Sequence, residues 1–195
     1  FDPANRLIFT PGALFGTAVP AASRTTATAK SPTTEMFGDG HSSGRWGAML
    51  KSAGYDMLIL QGAAPKSVYL WIDNEKVEIR DAGHLWGKTT METDQALRES
   101  LGDHEIGTLV IGPAGEKKVR LASIFSDGIM GTFARTGMGA VMGSKNLKAV
   151  ATRGTKDVGI ADRDAFQKAY QDYLQVISVD PYVPPATKYG TCRFM

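Results

Sequence analysis

Apolar residues in this chain fall in short runs separated by glycine-rich breaks, the spacing of strands and brief helices. Arg6–Thr10 and Arg24–Lys30 read as strands, and Phe37–Gly44 reads as a loop rich in glycine and serine. Trp46–Ser52 predicts a short helix closed by Gly54, and the almost wholly apolar Met57–Gln61 predicts a strand buried on both faces. Val68, Leu70 and Ile72 alternate with Tyr69 and Trp71, and Val77 alternates with Ile79 after the polar turn Asp73-Asn74-Glu75-Lys76, which predicts a hairpin. Thr89–Leu101 has helical periodicity through Met91, Ala96, Leu97 and Leu101, with Gly102 as its stop. Thr108–Ile111 and Lys118–Phe125 read as further strands. A second loop at Asp127–Gly139, a second short helix and a strand at Ala149–Arg153 follow. Asp162 caps a helix running to about Val176, and the proline-rich Asp180–Pro185 reads as a linker.

The pattern repeats. Trp46-Gly47-Ala48-Met49 through Leu58-Ile59-Leu60-Gln61-Gly62 aligns without a gap on Met138-Gly139-Ala140-Val141 through Val150-Ala151-Thr152-Arg153-Gly154, at a constant separation of 92 residues. Each copy runs strand, strand, glycine-rich segment, short helix, strand, and Pro11-Gly12 and Gly112-Pro113 follow the first strand of each. Chance similarity between short strand–turn–helix units is one explanation. The other is a duplicated two-sheet α+β domain with pseudo-two-fold symmetry, each half presenting an equivalent loop.

Composition narrows the function classes. The 195 residues, 43% of them hydrophobic, support one sizeable core. A net charge of +2 with intermixed signs excludes a dedicated nucleic-acid surface, and no apolar run is long enough for a membrane helix. The one cysteine, Cys192, forms neither an internal disulfide nor a cysteine-built cluster site, which points to a reducing, cytoplasmic setting. The first residue is not methionine and Cys192-Arg193-Phe194-Met195 lacks a helix cap, so both ends read as cut from a longer protein.

Each glycine-rich segment leads into a helix start, where unpaired N–H groups and the helix dipole favour an anion. Arg24 accompanies the first and Arg135 the second, and a guanidinium can hold phosphate through two parallel N–H bonds. The dipole contributes about 0.3–1 kcal/mol and each charge-assisted bond about 1.5–3 kcal/mol, enough to orient a phosphorylated ligand without identifying it. Neither segment fits a Walker sequence, and Ser43 stands where a Gly-x-Gly-x-x-Gly fingerprint needs its last glycine. His41, His84 and His104 lack metal-ligand spacing. Asp94, Glu99, Asp162 and Asp164 read as solvated helix residues, and Ser123 and Ser126 lack an activating histidine. A stand-alone phosphate- or nucleotide-binding module and a ligand-free scaffold both remain open on these residues.

Several ordered motifs go further: Gly12-Ala13-Leu14-Phe15-Gly16-Thr17 with Pro20 and Arg24, Lys30-Ser31-Pro32, Leu50-Lys51-Ser52-Ala53-Gly54-Tyr55-Asp56, Arg80-Asp81-Ala82-Gly83-His84-Leu85-Trp86-Gly87-Lys88, Ile111-Gly112-Pro113-Ala114-Gly115-Glu116, and Gly139-Ala140-Val141-Met142-Gly143-Ser144-Lys145-Asn146-Leu147-Lys148-Ala149. Their order and spacing resemble the amino-terminal domain of the aldehyde:ferredoxin oxidoreductase family over nearly the whole chain, through Tyr189-Gly190-Thr191. The resemblance implies a tungstopterin-binding domain over residues 1–178, lacking its first residues, with 179–195 as a linker into helical domains that lie beyond it.

It also implies a tungsten bis-pterin cofactor held at Arg24, His41, Ser43, Gly131, Thr132, Ala134 and Arg135. A magnesium ion bridging the pterin phosphates would take the backbone carbonyls of His41 and Thr132. The resemblance assigns a [4Fe–4S] cluster and the proton-transfer residues to the helical domains, leaving no catalytic residue here. The implied reaction oxidises an aldehyde with water to a carboxylate and passes electrons to ferredoxin or an electron-transfer subunit; a homodimer is compatible with it. Two departures bear on the site. His41-Ser42-Ser43-Gly44 stands where the family favours Asn-Ser-Gly-Gly, which predicts a narrower backbone approach at Ser43. Gly131 stands where the family has an arginine, with a one-residue insertion nearby, which predicts one phosphate clamp fewer. Such differences fit a subfamily with another substrate, including the related tungsten reductases of aromatic thioesters.

Overall fold

A computed structural model of the chain describes residues 1–190 and 192. It separates into a unit from Phe1 to Val158 and a second unit beginning at Gly159, ahead of the 178/179 boundary drawn from the sequence. The first unit contains both sheets. Strands β1 (Leu7–Pro11), β2 (Thr25–Lys30), β3 (Phe37–Ser42) and β4 (Leu58–Leu60) form an antiparallel sheet in the order β3-β2-β1-β4, with helix α1 (Trp46–Ser52) between β3 and β4 in sequence. The second sheet contains β5 (Val68–Asp73), β6 (Lys76–Asp81), β7 (Gly107–Val110), β8 (Ile124–Ser126), β9 (Gly131–Phe133) and β10 (Leu147–Arg153), in the order β6-β5-β10-β7-β8-β9. Helix α2 (Thr90–Leu101) precedes β7, the single turn α3 (Pro113–Glu116) follows it, and α4 (Met138–Ser144) separates β9 from β10.

The sequence repeat reappears as topology. The run β9-β8-β7-β10 in the second sheet has the same sequence-to-space order as β3-β2-β1-β4 in the first, with antiparallel neighbours throughout. Helices α1 and α4 start and end 92 residues apart, at 46 and 138 and at 52 and 144. Two left-handed turn positions keep the same spacing: Glu35 (φ 61°) with Asp127 (φ 49°), and Gly54 (φ 98°) with Asn146 (φ 54°).

Both short helices lie in the core between the sheets. Trp46 and Leu50 of α1 and Met138, Val141 and Met142 of α4 share one buried cluster with Leu7, Phe9 and Ala27 of the first sheet and Leu70, Leu109, Ile124 and Phe133 of the second. Phe9 sits edge-on to Trp46 (5.4 Å between centroids) and to Phe133 (5.8 Å), joining the sheets through one ring. A second cluster on the far face of the larger sheet packs Tyr69, Trp71, Val110 and Ala149 against Leu97 of α2. The hairpin alternation therefore separates two buried faces: Val68, Leu70 and Ile72 face the inter-sheet core, and Tyr69 and Trp71 face the helical layer. Helix α2 forms as its sequence predicts, with a reciprocal Thr89/Glu92 capping box and Gly102 left-handed at its end.

Four local readings change. Phe37–Gly44 was expected as a loop, yet its first six residues form β3: Gly38, Gly40 and Ser42 face inward while Phe37, Asp39 and His41 face out. Glycine is a poor strand former in isolation, but a Cβ on Gly38 would lie 2.7 Å from Ser31 Cβ and one on Gly40 3.3 Å from the Phe133 backbone, so the packing requires glycine. Met57–Gln61 was expected to be buried on both faces; β4 is an edge strand and Ile59 is 52% exposed. Lys118–Phe125 yields only β8, because the backbone turns at Lys118 (φ 57°) after α3 and leaves Val119 and Leu121 exposed. In the second unit α5 (Arg163–Val179) is capped by the Asp162 side chain. The stretch read as a linker starts α6 (Val183–Tyr189), its prolines in the first turn, where no N–H is needed.

One buried ion pair ties the larger sheet to its loops. Lys148, fully buried, contacts Glu116 and donates to the Lys88 carbonyl at 2.8 Å, while Glu116 accepts from Gly87 N–H at 2.9 and 3.0 Å. Burial pushes the Lys148 ammonium below the usual lysine range, and the Glu116 carboxylate opposes that shift. Removing only the cation leaves a buried carboxylate, so Lys148→Met is expected to lower stability by about 3–5 kcal/mol. Adding Glu116→Gln to that variant should recover part of the loss in denaturant unfolding; an unchanged midpoint for Lys148→Met would contradict the assignment. At α4, a Cβ on Gly139 would lie 2.4 Å from the Ser123 carbonyl oxygen. Gly139→Ala is expected to cost about 1–3 kcal/mol by overpacking, read from the same unfolding curves.

Candidate functional site

The outer strands β3 and β9 bring the two glycine-containing segments into contact. Thr136 Oγ1 donates to the Asp39 carbonyl at 2.8 Å, and a Cβ on Gly131 would fall 2.3 Å from Ser42 Oγ and 2.4 Å from the Ser43 carbonyl oxygen. Beside this seam opens a cavity of about 630 Å³ lined by Arg24, Asp39, Gly40, His41, Thr132, Ala134, Arg135 and Thr136. Five residues singled out from the sequence, Arg24, His41, Thr132, Ala134 and Arg135, thus line one space. Ser43 and Gly131 do not line it; they meet one another at the seam. Position 131 has no room for any side chain in this packing, which accounts for glycine there.

The charges in the cavity are unevenly satisfied. Arg24 and Arg135 are exposed, and their guanidinium groups make no hydrogen bond or ion pair among the described residues, although the Arg24 carbonyl accepts from the Gly12 N–H at 2.9 Å. Arg135 is also held at φ 78°, a left-handed conformation that is unfavourable for a residue with a Cβ. Asp39 contacts His41 Nε2 at 2.8 Å, and His41 Nδ1 lies 2.9 Å from Thr26 Oγ1. Two unpaired guanidiniums on one cavity suit a ligand carrying phosphate. Among the described residues no group of three His, Cys, Asp or Glu side chains could cage a metal ion.

The helix starts do not supply the anion site expected of them. At α1, the Arg45 N–H donates to Asp127 Oδ2 at 2.6 Å, so a carboxylate from the other half already caps that end. At α4, Gly137 to Ala140 are buried and the Gly139 N–H donates to the Ala122 carbonyl at 2.9 Å. Neither end lines the cavity. Of the features expected to hold an anion, the paired sheet edges and the two arginines line the cavity.

Against known proteins, the family model described as aldehyde ferredoxin oxidoreductase, N-terminal domain, matches residues 1–154. The chain belongs to that family. It is 45% identical over 192 residues to the tungsten-containing aldehyde ferredoxin oxidoreductase of Pyrococcus abyssi, covering 98% of this chain and 32% of that protein. The corresponding Pyrococcus furiosus enzyme is 43% identical over 191 residues, covering 97% of this chain and 31% of its own length. Among solved structures, the active site complex BamBC of benzoyl coenzyme A reductase, in complex with 1,5-dienoyl-CoA, matches with a TM-score of 0.87 and 40% identity. That match covers 91% of this chain and 27% of the other. The chain therefore spans about a third of the length of the curated relatives it matches.

Asp39, Gly40 and Thr136 line the cavity, and Thr26 holds the His41 ring; none was singled out from the sequence. The signal for Asp39 was its two-residue spacing from His41, which places both on one face once the segment is a strand. If the arginines form the anion site, the Arg24→Ala, Arg135→Ala double variant of the complete protein, prepared without cofactor, should bind inorganic pyrophosphate at least about tenfold more weakly in calorimetry. Unchanged affinity would remove the arginines from the site.

Proposed function

We propose that this chain is the cofactor-binding domain of a tungsten-dependent oxidoreductase that oxidises aldehydes to carboxylates and delivers electrons to ferredoxin. The observation that carries the proposal is the pair of guanidiniums, Arg24 and Arg135, without partners among the described residues, on one cavity where β3 meets β9. Membership of the family and the names of its tungsten-containing relatives support the same reading. In this reading the two halves stand about a pseudo-two-fold axis and each contributes to one end of a bis-pterin ligand. Arg24 and Arg135 hold its phosphates, with Thr132 and Ala134 on the second-half wall, and the His41 and Thr132 carbonyls serve a bridging magnesium ion. Ser43 and Gly131 keep the seam closed beneath it. When bound, the tungsten centre supplies the two-electron redox chemistry, and this chain binds and orients the group that carries it.

The remaining parts of the activity belong to the rest of the polypeptide: a [4Fe–4S] cluster, the aldehyde pocket, the ferredoxin contact and any homodimer interface. No described helix is long and apolar enough to cross a membrane; a cytoplasmic setting is part of the proposed reading. A second reading, reduction of an aromatic acyl thioester, is favoured by the likeness to the benzoyl coenzyme A reductase complex.

Elemental analysis of the complete natural protein is expected to find tungsten, with two pterins per metal atom; finding neither tungsten nor molybdenum would overturn the proposal. Viologen-coupled assays separate the readings, since turnover of aldehydes without turnover of aromatic acyl thioesters is expected and the reverse would establish the alternative.

A further inference from the structure

The cavity carries a feature at odds with anion binding: Asp39, a carboxylate, shares it with Arg24 and Arg135. The Thr136 hydroxyl bonds the Asp39 carbonyl at 2.8 Å, so the residue next to Arg135 is tied to the backbone of Asp39. A carboxylate so placed would be expected to pair with a free guanidinium or to repel an incoming phosphate. Asp39 pairs with neither arginine. Its Oδ2 instead lies 2.8 Å from Nε2 of His41, two residues along β3 on the same outward face.

The ring is fixed from both sides. Thr26 is directly opposite His41 in the β2–β3 register, and its Oγ1 is 2.9 Å from Nδ1. Since a carboxylate only accepts, the hydrogen toward Asp39 belongs to Nε2; in the neutral ring Nδ1 then accepts from the Thr26 hydroxyl. Both ring nitrogens are thereby committed within the chain, and the carboxylate is directed along its own strand.

We propose that His41 is a positioning residue for anion binding: by holding Asp39 in an in-strand hydrogen bond, it leaves Arg24 and Arg135 free for the phosphate of an incoming ligand. The inference rests on the reading of the cavity as the site of a phosphate-bearing cofactor, and it adds the residue that keeps the site's own carboxylate from competing. His41 acts through Asp39 and need not touch the ligand.

The test is a double-mutant cycle on the complete protein prepared without cofactor, with inorganic pyrophosphate as the probe in calorimetry and thermal melts as the control for folding. His41→Leu, which releases Asp39, should weaken binding by about 1.5- to fivefold, the range expected for one competing exposed ion pair. His41→Gln, which keeps an N–H for the carboxylate, should stay closer to the parent. Asp39→Asn should bind at least as tightly as the parent, and adding His41→Leu to Asp39→Asn should change nothing further. An equal loss from His41→Leu in both backgrounds, or no loss in either, overturns the inference. If that happens while binding still requires Arg24 and Arg135, the reading of the cavity stands; absence of pyrophosphate binding by the parent overturns both.

Discussion

Two short helices buried between two sheets impose the constraint on which the rest of this domain depends. A helix of seven residues has too few internal hydrogen bonds to persist alone, so α1 and α4 owe their stability to the apolar space around them. That space is tight. A Cβ on Gly47 would stand 2.3 Å from Thr25 Oγ1 and one on Gly139 2.4 Å from the Ser123 carbonyl oxygen, and these glycines are the second residues of their helices, 92 positions apart. Close approach lets Phe9 reach Trp46 and Phe133 together, so one aromatic contact joins α1 and both sheets.

The same burial decides where ligand chemistry can occur. At the helix starts the Arg45 N–H is taken by Asp127 and the Gly139 N–H by the Ala122 carbonyl, so these donors are already engaged within the chain. What reaches the surface is the seam of β3 and β9, where each half contributes a strand and an arginine. A packed seam flanked by exposed guanidiniums suits an anionic group, with the backbone setting the distance between the halves and the arginines supplying charge. In the same cavity Asp39 pairs with His41 and with neither arginine.

Membership of a tungsten oxidoreductase family gives this division of labour a chemical context. The relatives extend over about three times the length that this chain spans, so under the proposed reading this domain would contribute position and electrostatics to a larger assembly of groups.

By itself the sequence determined the local elements whose periodicity or capping is self-contained: α2 with its Thr89 and Glu92 box, the β5–β6 hairpin around Asn74, the bounds of α1, and the 92-residue repeat. Its family resemblance also singled out seven residues, of which Arg24, His41, Thr132, Ala134 and Arg135 line one cavity while Ser43 and Gly131 do not. Tertiary structure decided the rest. Whether Gly38-Asp39-Gly40-His41 is a loop or a strand depends on backbone packing from residues about a hundred positions away, which local propensity cannot contain. Edge or centre for β4, and which groups take the N–H donors at the helix starts, likewise follow from how two sheets enclose a shared core. The pairing that ties up Asp39 became visible only once β3 was a strand, because a strand places alternate residues on one face and sets Thr26 opposite His41.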